Sequence, residues 1–199
     1  MRLFSALALI TLLAIVSISP FFKWTTDTYP QQGMPDVQRE GGGTTTSTAS
    51  QVTSAWQEAF DYAQAYLPKT GELVVKSDGF GYIRVDNAYI DTLFPMLDVR
   101  QDGFRKPPYF RRPEAPGAHI SVFYENEHVR PAEVGEYFNF ELKRIKIVNA
   151  SKDTSYVILE VDAPELEVLR EKYGLSPKLF GHEFHITLAK RTLHPRSRW

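Results

Sequence analysis

The chain has 199 residues, 43% hydrophobic and 24% charged, a composition that suits one folded domain with additional segments. A net charge of -1 excludes a protein that binds polyanions over its whole surface, so any nucleic-acid contact must be local. The absence of cysteine excludes disulfides, thiolate metal sites, lipoprotein acylation and a cysteine nucleophile.

Met1 and Arg2 precede an apolar run that starts at Leu3 and extends to Phe22. A charged n-region before an apolar stretch is the pattern of a secretory signal peptide. The run also has the length of a membrane span, about 20 residues, and Pro20 directly follows the small-x-small Ser17-Ile18-Ser19. Residues 1–22 therefore read as a signal peptide or an uncleaved signal-anchor, and either predicts an exported (periplasmic or secreted) or membrane-anchored protein. Residues 23–51, with Gly41-Gly42-Gly43 and Thr44-Thr45-Thr46, lack apolar periodicity and read as a flexible linker. The folded domain is expected over 52–199.

Ser54-x-x-Gln57 has a capping-box pattern and opens a helix with Trp56, Ala59, Phe60, Ala63 and Leu67 on one stripe, stopped by Pro68. Glu72–Lys76 and Gly81–Val85 read as strands about the turn Ser77-Asp78-Gly79. A helix is expected from Ala88 to about Leu97, then a basic, proline-rich loop over 100–116 with Arg100, Arg105, Lys106, Arg111 and Arg112. The second half repeats the order. A long strand runs from Glu136 to Val148, with a phase slip between Leu142 and Ile145 that predicts a bulge. Thr154–Val161 returns, Pro164 starts a helix, and Gly174 ends it.

Each half closes on one pattern, His119-Ile120-Ser121 and His185-Ile186-Thr187, in a period-2 context. In a strand, residues i and i+2 share a face. Each strand thus offers an imidazole and a hydroxyl on one side and an apolar anchor on the other. Two histidines supply a proton acceptor and a proton donor near neutral pH without a metal or other cofactor. The two hydroxyls add hydrogen-bond donors on the same face. His182-x-x-His185 is one residue short of a helical zinc pair, and on a strand its two rings face opposite ways. By parity Phe123 joins the face of His119, as a candidate substrate-binding ring, and Lys190 falls on the face opposite His185. Tyr82 and Arg84 share a strand face and are further substrate-binding candidates. His128 and His194 sit in loop-like contexts.

These motifs, with Gly79-Phe-Gly-Tyr-Ile-Arg84, Asn87-Ala-Tyr-Ile90 and Tyr173-Gly-Leu-Ser-Pro-Lys178, resemble the two-histidine (2H), LigT-like phosphoesterases. The branch they are most similar to is the one called Swiss Army Knife RNA repair-like. The resemblance spans about residues 54–192. It implies an α+β fold, a duplicated β-β-α-β two-lobed arrangement with a central cleft. It implies a phosphodiesterase acting on 2′,3′-cyclic or 2′,5′-linked nucleotide or RNA-end phosphodiesters, with His119, Ser121, His185 and Thr187 catalytic. By family analogy His119 is the acid and His185 the base. The alternative is a non-catalytic, exported nucleotide- or phosphate-binding module. No obligate protein partner is evident.

Overall fold

The computed structural model describes residues 47–110 and 114–193. The apolar run 1–22, most of the linker, Arg111, Arg112 and His194 lie outside the described residues. Among those described, no helix is long and apolar enough to cross a membrane.

The elements are α1 (Ser47–Tyr66), β1 (Thr70–Val75), β2 (Gly81–Arg84), α2 (Ala88–Asp91), α3 (Leu93–Met96), β3 (His119–Phe123), β4 (Tyr137–Asn139), β5 (Glu141–Ser151), β6 (Thr154–Asp162), α4 (Pro164–Lys172) and β7 (His185–Thr192). They form one antiparallel sheet in the order β4-β1-β2-β3-β7-β6-β5. The halves β1-β2-β3 and β7-β6-β5 run symmetrically outward from the β3–β7 seam, which is the duplication expected of the α+β fold. The halves join as a single sheet rather than as two separate ones.

Helices cover one face. Ala59, Ala63 and Leu67 of the α1 stripe, Tyr89 and Ile90 of α2, and Leu93 and Phe94 of α3 are buried with Ile83, Ile120, Ile186 and Leu188 of the sheet. Burying these branched and aromatic side chains is the main stabilising term of such a layer. The opposite face carries the alternate residues of β3 and β7, and there both motifs lie.

Three boundaries differ from the sequence expectation. α1 begins at Ser47, inside the stretch read as linker. The helix over 88–97 is two short helices meeting at Thr92. The strand read as Glu136–Val148 breaks at Phe140, whose ring turns inward to 6.1 Å from Tyr89. Its first part, β4, pairs with β1 at one edge, while β5 pairs with β6 at the other. Continuous alternation cannot report that a chain changes edges. The expected bulge is present, as a register shift between Leu142 and Arg144.

Candidate active site

β3 and β7 share the registered pair Ile120–Ile186. Antiparallel pairing then sets Ser121 across from His185 and His119 across from Thr187. All four polar side chains occupy one face, with the two histidines on the diagonal. At the Gly117 end the strands part, and the backbone of Arg105 takes up the pairing with Lys190.

Both imidazoles are oriented by the same local device. Nδ1 of His119 lies 2.8 Å from the carbonyl of Gly117, and Nδ1 of His185 lies 3.0 Å from the carbonyl of Glu183. A carbonyl only accepts, so each Nδ1 carries the proton and each Nε2 is left for chemistry. Burial pushes both rings below the ordinary histidine pKa. For His119 the Gly117 carbonyl opposes burial, and the charge of His185 adds to it. For His185 the Glu183 carbonyl opposes burial, His182 and Lys146 lower the pKa further, and Glu160 raises it.

The surroundings of His119 are aromatic. Its ring lies 4.6 Å from Tyr109, 5.5 Å from Tyr82 and 5.9 Å from Phe80, all edge to face. Tyr124 stacks on Phe80 and, at 5.2 Å, on Phe180. Phe180 is 67% exposed, with φ at +52°. Burial raises the Tyr109 phenol pKa, and the nearby Thr187 hydroxyl opposes the rise. A cavity of about 370 Å³ opens between Arg84, Asn87, Tyr109, Phe110, Pro116 and Gly117, and His119 is not among the residues that line it. Among the described residues no group of three or more histidines and carboxylates gathers to hold a metal ion.

Of the candidates read from sequence, His119, Ser121, His185, Thr187 and Tyr82 come together. Arg84 registers against His119 but is exposed and ion-paired with Glu72 at 3.6 Å. Phe123 does not reach the site. It is 0% exposed, edge-on to Tyr173 and beneath the Arg170 guanidinium.

The reason is a bulge. Tyr82 pairs with Ser121 but the next pair is Gly81–Phe123, so Val122 is an extra residue and parity reverses after it. β7 does the same. Ile158 pairs with Thr187 and Val157 with Ala189, leaving Leu188 extra. The slip sends Phe123 and Ala189 to the helical face. It brings Tyr124 and Lys190 to the site face, reversing the parity assignments of Phe123 and Lys190. Lys190 pairs with Tyr156, its Nζ 5.6 Å from that ring. Tyr109, Tyr124, Phe80 and Lys190 are thus site-face residues that alternation missed; the two bulges, which only the strand register shows, bring in Tyr124 and Lys190.

Gly117 offers a test of this geometry. Its φ is +69°, and an added Cβ would lie 2.5 Å from Asn87 Oδ1, which accepts the Ala118 N–H. Gly174 has a similar φ, +72°, with nothing within 4 Å of an added Cβ. Gly174→Ala is expected to cost only the left-handed penalty, about 1–2 kcal/mol. Gly117→Ala should cost more and should also tilt the carbonyl that holds His119, lowering turnover. Chemical denaturation of both variants checks this; equal losses would mean that Asn87 yields freely.

A family model described as Swiss Army Knife, 2H phosphoesterase domain, matches residues 81–194, more than half of the chain. No curated protein and no solved structure matches it.

Proposed function

We propose, from the premise that this chain belongs to the Swiss Army Knife branch of the 2H phosphoesterases, that it cleaves 2′,3′-cyclic or 2′,5′-linked phosphodiesters at nucleotide or RNA ends. The observation that carries the proposal is the pair of imidazoles, each held through Nδ1 by the carbonyl two residues earlier. A pair so oriented presents two Nε2 atoms on one face between two hydroxyls.

In the proposed reaction Nε2 of His185 takes a proton from the attacking water. The water oxygen bonds to phosphorus as the bond to a ribose oxygen breaks. Nε2–H of His119 then protonates that leaving oxygen. The roles follow the family analogy, and burial disfavours a charged resting ring at His185, as a base requires. Hydroxyls of Ser121 and Thr187 donate to the non-bridging oxygens, where charge grows in the transition state. Lys190 offsets that charge, and Tyr124 with Phe180 offers a stacking surface for a base. Neither proton transfer calls on a metal, so turnover should persist in EDTA. Residues 1–22 would carry the protein out of the cytosol or tether it to a membrane.

The pH dependence follows in sign. Both rings are depressed below about 6.5, the unperturbed value. At pH 7 the protonated acid is therefore the scarce form. The profile of kcat/KM is expected to be a bell centred below about pH 6.5. An anionic substrate favours the imidazolium, so the alkaline limb of kcat should lie higher than that of kcat/KM. Depressed histidines also stabilise the fold fully only above about 6.5, and that contribution falls as pH drops through the lowered native values. Initial rates on 2′,3′-cyclic AMP across pH 4.5–8 in EDTA provide the test. Turnover lost in EDTA, or a bell centred above pH 7.5, would overturn the proposed mechanism. Binding without turnover would favour a non-catalytic module.

A further inference from the structure

The site face of the second half continues past His185 in a way the two-histidine chemistry does not need. Glu160 registers against His185, and Arg144 registers against Glu160 on the outermost strand. Ile158 registers against Thr187, and Lys146 against Ile158. Two cations on β5 therefore share the face of the histidines. They lie two strand spacings away, about 10 Å.

Glu160 is the unusual member. Its side chain is 2% exposed, yet it is a carboxylate on a sheet face that no helix covers. One oxygen meets Arg144 Nη2 at 3.3 Å and the other meets the Lys146 ammonium. A buried carboxylate between two cations fixes their spacing and neutralises only one of them. Arg144 stays 66% exposed, so its remaining N–H groups face solvent. Arg144, Lys146 and Lys190 set three cations against Glu160, while Asp162, the next acid along β6, lies 4.0 Å from Lys143. The first half differs. Around His119 the face is built from Phe80, Tyr82, Tyr109 and Tyr124, and Arg84 is tied to Glu72.

The duplicated halves are thus chemically unlike, one aromatic and one basic. Flat rings suit a nucleobase, and a preset cation pair suits a phosphate. We infer that Arg144 and Lys146, held by Glu160, form a second phosphate subsite next to the reacting one. The substrate is then an oligonucleotide end, whose neighbouring phosphate occupies β5, rather than a free cyclic mononucleotide. This inference rests on the phosphodiesterase reading above.

The test compares a 2′,3′-cyclic mononucleotide with a tetranucleotide RNA ending in the same cyclic phosphate. On the wild-type protein kcat/KM is expected to be at least tenfold higher for the tetranucleotide. Its dependence on salt should be steeper by about 1.4 in log–log slope, two further cations at about 0.7 each. In the triple variant Arg144→Gln, Lys146→Gln and Glu160→Gln, which leaves no buried charge unpaired, the preference should shrink below twofold. Equal salt slopes, or a preference that survives in the variant, would overturn the subsite. Should neither substrate turn over, the reaction fails but the subsite remains testable. A fluorescently labelled single-stranded RNA should then bind the wild type at least fivefold more tightly than the variant by anisotropy, and equal affinity would overturn it. If the variant does not fold, the wild-type salt slopes alone decide.

Discussion

Alanine in place of either His119 or His185 is expected to lower kcat by about 100- to 10,000-fold, the usual worth of one positioned acid or base. The two should act as a unit. The double variant is then expected to fall little below the worse single one, because a proton relay missing either end is already broken. The pH profiles should separate the roles. Loss of the base removes the acidic limb, so His185→Ala should keep residual turnover as pH falls. Loss of the acid removes the alkaline limb, so His119→Ala should lose its decline at high pH. Folding must be controlled at His119, whose ring is flanked by Tyr109, Tyr82 and Phe80. His119→Asn retains a polar group of similar reach, and its thermal unfolding should match the wild type more closely than that of His119→Ala. Rates within threefold of wild type in a folded variant would remove that histidine from the chemistry.

Much of this geometry is legible in the sequence. Alternation at Ile120 and Ile186 buries the apolar side of each motif, and the repeated order of elements brings the motifs to one seam. The bulges were not legible. A residue inserted after Ser121 and after Thr187 reverses everything downstream, so strict alternation puts Phe123 in the site and Lys190 out of it. Nothing in the composition of Ser121-Val122-Phe123 or Thr187-Leu188-Ala189 marks an extra residue, since branched and aromatic residues suit either face of a strand. The role of Tyr109 was hidden for another reason. It sits in a proline-rich loop with no periodicity, and contacts distant in sequence, such as the Gly117 N–H to Tyr109 carbonyl bond at 3.0 Å, place it beside His119. The edge change at Phe140 was concealed because β4 pairs with β1, far away in sequence, while β5 pairs with the strand that follows it, and the alternation runs on across the break.

Arg170→Met is expected to destabilise the protein by about 3–5 kcal/mol, the cost of leaving a buried charge without its partner. Arg170 is 1% exposed, on the inner side of α4. Its Nη2 lies 2.7 Å from Glu127 Oε1 and its Nη1 lies 3.1 Å from Oε2, a bidentate fork. Nε donates to the Ser176 carbonyl at 2.7 Å, and Nη1 donates to the carbonyl of Val122. Glu127 in turn accepts the Tyr124 N–H at 2.8 Å. One guanidinium therefore joins the β3 bulge, the turn beneath Tyr124 and the loop that leads to Phe180 and His185. Glu127→Gln combined with Arg170→Met removes the unpaired carboxylate and should recover part of the loss. Recovery should be incomplete, because the buried carbonyl of Val122 still lacks its donor, at about 1–3 kcal/mol. Arg170→Lys keeps the charge but cannot fork, so it should fall between wild type and Arg170→Met. Urea denaturation of the four proteins orders them. In the folded Lys variant KM should rise more than kcat falls, since Tyr124 and Phe180 move while the carbonyls of Gly117 and Glu183 still hold the histidines. A loss below 1 kcal/mol in Arg170→Met would mean that water reaches Glu127 and that the bulge holds its shape without this clamp.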